Sequence, residues 1–209
     1  MIDFFINAYK SASVFQIILE AIAFVSGILS VYFAKKENIL VFPTGLICTV
    51  ISVYILYKNG YYGDMVINFY FSIMSIYGWI LWSKPKEISH VNISYTNKKE
   101  KIIGLILFIV TIIFIYFVYL YFDYEIKIEN YLDILTSGIF FTAMWFMSNK
   151  KLENWILWIV ADIITVPLYA YRGLGILSLQ YLIFTILAVI AYKEWKKTIE
   201  NHLITKDNV

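Results

Sequence analysis

Trp155, Trp158, Asp162, Thr165 and Tyr169 recur at offsets of three and four inside an otherwise apolar segment. On a helix they form one stripe of two indoles, a carboxyl, a hydroxyl and a phenol. An acid at the centre of a membrane-length helix is costly and persists where it faces protein or a wet cavity. Asp162 with Trp158 one turn away would favour a cationic aromatic ring, through charge attraction and a cation–π contact. The competing account of Asp162 is a hydrogen bond that packs two helices together.

A second polar stripe runs through Asp64, Asn68, Ser72, Ser75, Trp79 and Trp82. Gln16, Glu20, Ala23 and Gly27 make a third, whose small members let another backbone approach closely. A fainter one joins Asp133, Ser137, Phe140 and Met144, and Gln180 stands just inside the last apolar run. Trp79 with Trp82, and Trp155 with Trp158, are indole pairs at i and i+3. For Trp82 and Trp155, near the ends of their runs, an interfacial aromatic belt is the rival account. Asp64 and Asp133 are also near run ends, where capping or interfacial solvation competes with ligand contact.

The elements that carry these stripes are helices in a bilayer. Of 209 residues, 61% are hydrophobic and 19% aromatic, more than the surface of a soluble domain accommodates. Runs at Val14–Ala34, Ile39–Tyr57, Tyr61–Trp82, Ile102–Phe122, Tyr131–Met147, Trp155–Tyr171 and Ile176–Tyr192 each approach the roughly 17–25 residues of a spanning helix. The first is too long for a signal-peptide core and is read as a retained helix. Seven spans leave only Lys10, Lys58, Lys127 and Arg172 on one side. Lys35, Lys36, Lys84, Lys86, Lys98, Lys99, Lys101, Lys150, Lys151, Lys193, Lys196, Lys197 and Lys206 fall on the other. The positive-inside rule then places the N-terminus outside and the C-terminus in the cytoplasm.

The expected fold is an all-α integral membrane domain over residues 1–209. A three-helix unit (13–82), a linker helix (102–122) and a second three-helix unit (131–195) give a 3+1+3 plan of parallel repeats, as in SWEET transporters. The fourth run holds no acid, base or amide and reads as a linker facing lipid. Weak likeness between the halves lies in Glu37-Asn38 against Glu153-Asn154 and Tyr57-Lys58 against Tyr171-Arg172.

Several functions are disfavoured. A net charge of +2 is too small to imply nucleic acid, and the basic residues sit in loops. The chain has no P-loop, H-E-x-x-H or G-x-S-x-G. His90 and His202 lie in polar segments, and the single cysteine, Cys48, forms neither a disulfide framework nor a cysteine metal site within one chain. No cofactor or metal is expected, and no enzyme activity. A retinal protein would need a buried lysine in its last helix, but Lys193 stands at that helix's end.

The stretches Gly63-Asp64-Met65-Val66-Ile67-Asn68, Ser75-Ile76-Tyr77-Gly78-Trp79-Ile80-Leu81-Trp82 and Glu153-Asn154-Trp155-Ile156-Leu157-Trp158-Ile159, leading through Asp162 to Pro167-Leu168-Tyr169, resemble the PnuC-type vitamin transporters. So do Asp133 and Gln180-Tyr181. The resemblance implies a SWEET-like seven-helix core in the cytoplasmic (inner) membrane and a homotrimer with a substrate path in each subunit. It also implies facilitated diffusion of nicotinamide riboside, made unidirectional by a cytoplasmic kinase. It places substrate at Asn68, Trp155, Trp158, Asp162 and Gln180, with Tyr77, Trp79 and Asn154 as further candidates. Many relatives have glutamine at the position of Asn68, and some at that of Met144. Thiamine or riboflavin as substrate, a proton-coupled carrier using Glu20 and Asp162, and a seven-helix sensor are the alternatives. Pro43 and Pro167 are candidate bend points.

Overall fold

Helix boundaries follow local chemistry. The computed structural model describes residues 13–58, 62–84, 92–122, 127–171 and 175–207. Seven helices lie within them: α1 (Val14–Lys35), α2 (Val41–Lys58), α3 (Tyr62–Ser83), α4 (Lys98–Phe122), α5 (Ile128–Ser148), α6 (Glu153–Tyr171) and α7 (Gly175–Asp207). Lys10, Lys86, His90 and Arg172 lie outside the described residues, as do the side chains of His202 and Lys206. Ser13 caps α1 by accepting the Gln16 N–H at 3.2 Å, which satisfies one of the orphan donors of a first turn. Asn97 and Glu100 close a reciprocal capping box on α4, each bond 2.9 Å long.

Six of the seven helices are long and apolar enough to cross a membrane. The exception is α5, which buries Asp133, Thr136, Ser137, Thr142 and Ser148 and packs against α3, α4 and α6. Among protein neighbours it can carry that polarity where a lipid-facing helix cannot. The α7 helix has 33 residues, about 50 Å at 1.5 Å per residue, and so outruns a ~30 Å hydrocarbon layer. Expected to end near Tyr192, it instead continues, because Trp195 and Ile199 are buried. Trp195 packs edge-on against Trp155 at 5.3 Å and donates its indole N–H to the Lys35 carbonyl at 3.2 Å.

Packing closes six helices into a ring. In order around it, α1 meets α2, α2 meets α3, α3 meets α5, α5 meets α6, α6 meets α7, and α7 returns to α1. The α4 helix stands outside, against α5 and more lightly α3, with apolar side chains such as Leu105, Val110 and Phe117 exposed. Close approach in the ring depends on missing side chains: a Cβ at Gly78 would overlap the Phe42 ring. Pro43 lies in the first turn of α2, where a missing N–H costs no helical bond. Pro167 interrupts α6 internally.

The α1 and α5 helices end alike. At the end of α1, Glu37 donates its N–H to Ala34 at 3.1 Å and Asn38 to Phe33 at 2.9 Å. At the end of α5, Lys150 donates to Met147 and Lys151 to Phe146, both at 2.9 Å. This 5→2 and 6→1 pairing is a Schellman cap, and its left-handed residue is Glu37 (φ 52°) or Lys150 (φ 50°). Glu37 and Lys150 hold the same position in their two caps. Glu153, which the sequence pairing aligned with Glu37, is instead in the first turn of α6. There it accepts the Thr96 N–H at 3.0 Å and the Thr96 hydroxyl at 2.8 Å.

A candidate ligand cavity inside the helix ring

The ring encloses a cavity of about 330 Å³ lined by side chains of all six ring helices and none of α4. That is within the ordinary range for a small-molecule site. At the end where α1 begins, the lining includes Gln16 and Glu20, which are partly exposed. At the other end it includes Ala34, Val41, Phe42 and Trp155, each at most 2% exposed. Among the described residues, the cavity therefore reaches toward one face of the ring and is packed shut at the other.

The α6 stripe supplies the chemistry. Asp162 lines the cavity at 1% exposure, and neither carboxyl oxygen has a hydrogen-bond partner. The indole N–H groups of Trp155 and Trp158 and the side-chain oxygen of Asn154 are likewise buried and unpartnered. Native proteins seldom leave such atoms unsatisfied, since each costs about 1–3 kcal/mol. Three of these side chains, Trp155, Trp158 and Asp162, line the cavity on adjoining turns of one helix and mark a place that a ligand or water completes. Thr165 is different: its hydroxyl donates back to the Ala161 carbonyl at 2.8 Å and holds the helix.

Around the indole stands an aromatic wall from three other helices. The Trp158 ring lies 5.6 Å from Phe71 of α3 and 5.4 Å from Phe140 of α5, and Phe140 lies 5.9 Å from Tyr181 of α7. Tyr181 continues the wall to Phe184 at 5.8 Å and Tyr169 at 5.2 Å. Polar groups are sparse. Asn68, whose amide nitrogen donates to the Asp64 carbonyl at 2.9 Å, keeps its side-chain oxygen for other use. Ser75 and Gln180 join it, and Glu20 accepts from Gln16 at 2.9 Å. Gly27 makes room for Gln180: a Cβ there would stand 2.6 Å from its Nε2 and 3.0 Å from the Cys48 Sγ. No lysine, arginine or histidine is among the described lining residues.

Five expected site residues, Asn68, Trp155, Trp158, Asp162 and Gln180, therefore line one cavity. Tyr77 and Trp79 do not: they are 45% and 40% exposed, and Trp79 borders a shallow outer surface with Ile80, Ser83 and Lys84. The α3 stripe runs along the edge of the buried face, whose middle holds Ile67, Met74 and Gly78. Asn154 is fully buried outside the lining, its amide donated to the Lys151 carbonyl. Asp133 accepts the Tyr119 hydroxyl at 2.9 Å and joins α5 to α4. Trp82, for which the aromatic belt is the rival account, makes specific contacts within the protein. It donates to the Ser148 carbonyl at 3.0 Å, meets Phe42 edge-on at 4.9 Å and lies beneath the Lys150 ammonium. Phe71 and Phe184 carried no signal in the sequence, being two of 16 phenylalanines. No group of His, Cys, Asp or Glu able to hold a metal occurs among the described residues.

A family model described as nicotinamide mononucleotide transporter matches residues 17–197. The chain belongs to that family. Its relatives in this transporter family include the nicotinamide riboside transporter PnuC of Escherichia coli (strain K12), 24% identical over 206 residues, with 85% of this chain and 84% of that one covered. PnuC of Neisseria mucosa is 26% identical over 199 residues, covering 88% and 74%. A crystal structure of the vitamin B3 transporter PnuC superposes with a TM-score of 0.71 at 25% identity, over 88% of this chain and 83% of that one. The chain is thus a multi-pass membrane protein of a transporter family, and the matched region runs from within α1 to within α7.

Proposed function

We propose that this chain is a facilitator that carries nicotinamide riboside through the helix ring across the cytoplasmic membrane. The observation that carries the reading is the unpartnered carboxyl of Asp162, buried beside the Trp158 indole in a cavity without a lining base. The pyridinium ring of the riboside is a cation with a flat π-face. It satisfies the carboxylate by charge and the indole by stacking. Asn68 and Gln180 then face the ribose hydroxyls, and the Trp155 N–H offers a further donor. A ligand lacking those hydroxyls leaves desolvated groups unpaired, which is how such a site discriminates.

The same charges separate riboside from mononucleotide. A phosphate brings negative charge into a cavity that already holds Asp162 and Glu20 and offers no lining cation, and such juxtaposition is repulsive. A cytoplasmic kinase that phosphorylates the riboside would therefore trap it inside. Inward flux then needs no motor in this chain.

The two three-helix units, α1–α3 and α5–α7, move in this reading as a 3+1+3 pair of parallel repeats. Support comes from the shared Schellman caps of α1 and α5 and from the neighbour order of the six ring helices, α4 apart, which maps onto itself when α1, α2, α3 exchange with α5, α6, α7. Rocking of one unit against the other exposes the cavity alternately. Lysine placement puts the start of α1 outside and the packed end, with the C-terminal segment, in the cytoplasm. A homotrimer with one path per subunit completes the proposal.

Quenching of tryptophan fluorescence in the purified protein tests the site. Nicotinamide riboside is expected to bind more tightly than nicotinamide mononucleotide or riboflavin, and more tightly than thiamine, the other cation considered. Equal affinity for riboside and mononucleotide would remove the charge-based reading.

A further inference from the structure

We propose that Glu37 and Lys150 form a latch holding the packed end of the cavity shut, and that this latch breaks each time that end opens. The proposal rests on the transport reading only in assuming that the packed end opens at all. Lys150 Nζ lies 3.0 Å from Glu37 Oε2 and 4.5 Å from the centre of the Trp82 ring. Glu37 belongs to the turn between α1 and α2, Lys150 to the turn between α5 and α6, so the pair joins the two three-helix units. Beneath it lie the residues that close the cavity: Phe42, edge-on to Trp82 at 4.9 Å, and Trp155 with Trp195.

Backbone conformation argues that the two side chains are there for a purpose. Both residues occupy the left-handed position of a Schellman cap, at φ 52° and 50°, where glycine is the residue of least strain. At both positions the chain carries a long side chain of opposite charge, and strain of this kind accumulates where function requires it. Two other polar fasteners at this end also join the units, each along a seam where a helix of one unit packs against a helix of the other. Lys35–Glu194, at 3.1 Å, joins α1 to α7, and the Trp82 indole binds the Ser148 carbonyl across α3 and α5. Glu37–Lys150 spans from the first turn of one unit to the matching turn of the other, so relative rotation of the units separates it. Lys150 is mostly covered and Glu37 about one-third exposed, a setting in which an ion pair holds but remains breakable.

Cys48, the only cysteine of the chain, lines the cavity and reports access without any substrate. In proteoliposomes, a membrane-impermeant methanethiosulfonate is added on the side bearing the C-terminal segment, and the rate of Cys48 modification is measured. Glu37→Gln is expected to raise that rate roughly two- to fivefold, the population shift that a partly exposed pair represents. Glu37→Lys should raise it further, and the exchanged pair Glu37→Lys with Lys150→Glu should return it to within about twofold of wild type. A rate unchanged in both single variants, no modification in any variant, or no recovery in the exchanged pair would overturn the latch. Failure of the riboside reading looks different: wild type would take up no riboside while Cys48 still answered to Glu37.

Discussion

Replacing Asp162 with asparagine preserves the side-chain shape and removes the charge proposed to recognise the ligand. The carboxyl is 1% exposed with both oxygens unpartnered, so no protein hydrogen bond is lost. At an effective dielectric near 20, a cation ~4 Å away gains ~4 kcal/mol of attraction, part of which is offset by stripping water from the ligand. The net should be near the ~1–3 kcal/mol of a hydrogen bond to a charged group, a loss of about 5- to 150-fold in Kd. Calorimetric titration with nicotinamide riboside reads this directly. The reduced dihydro form of the riboside, with a neutral ring, should lose less than about twofold, since a neutral ring gains nothing from the charge. Thermal unfolding adds a second signature: relieved of an uncompensated buried carboxyl, ligand-free Asp162→Asn should be at least as stable as wild type. Equal loss for both ligands, or clear destabilisation, would show that Asp162 packs helices and refute the charge argument.

Two further substitutions separate binding from architecture. Trp158→Leu should leave the protein folded yet weaken riboside binding by about 2–3 kcal/mol, from lost stacking and a desolvated cation–π contact. Trp82→Leu should instead lower thermal stability, because Trp82 fastens α3 to α5 through Ser148. Wild-type affinity in folded Trp158→Leu would take the indole out of the site. Gly27→Ala places a methyl 2.6 Å from the Gln180 amide nitrogen. The flexible amide should swing aside, leaving the fold intact and costing about 0.5–1.5 kcal/mol of riboside affinity, read by the same titration.

How much of this was legible depended on what lipid does to sequence signals. Helix existence was legible because a bilayer demands long apolar runs, and only α5, with polarity satisfied by neighbours, departs from that rule. That Trp155, Trp158 and Asp162 share a wall of the cavity was legible because an acid in a spanning helix turns toward protein or a wet interior, and the two indoles fall on its face of the helix. Tyr77 and Trp79 lie off the cavity wall: where lipid and protein interior are both apolar, a tryptophan shows no preference that marks the inside, and a polar stripe can run along the edge of the buried face. Phe71 and Phe184 gave no signal, since a phenylalanine in an apolar run is ordinary until another helix brings Trp158 to its ring. The α7 extension was hidden because Lys193 and Glu194 end the apolar run, while the contacts that continue it, Trp195 to Trp155 and Lys35, are distant in sequence.

The central claim is passive passage of a cationic nucleoside, and one measurement reaches it most directly. Liposomes containing only this protein, without ion gradients, kinase or ATP, are given labelled nicotinamide riboside or labelled nicotinamide mononucleotide. The riboside should enter until its inside and outside concentrations are equal, unaffected by proton or sodium ionophores, while the mononucleotide stays outside. Entry of both at similar rates, or accumulation of riboside above the outside concentration when a pH gradient is imposed, would contradict the account.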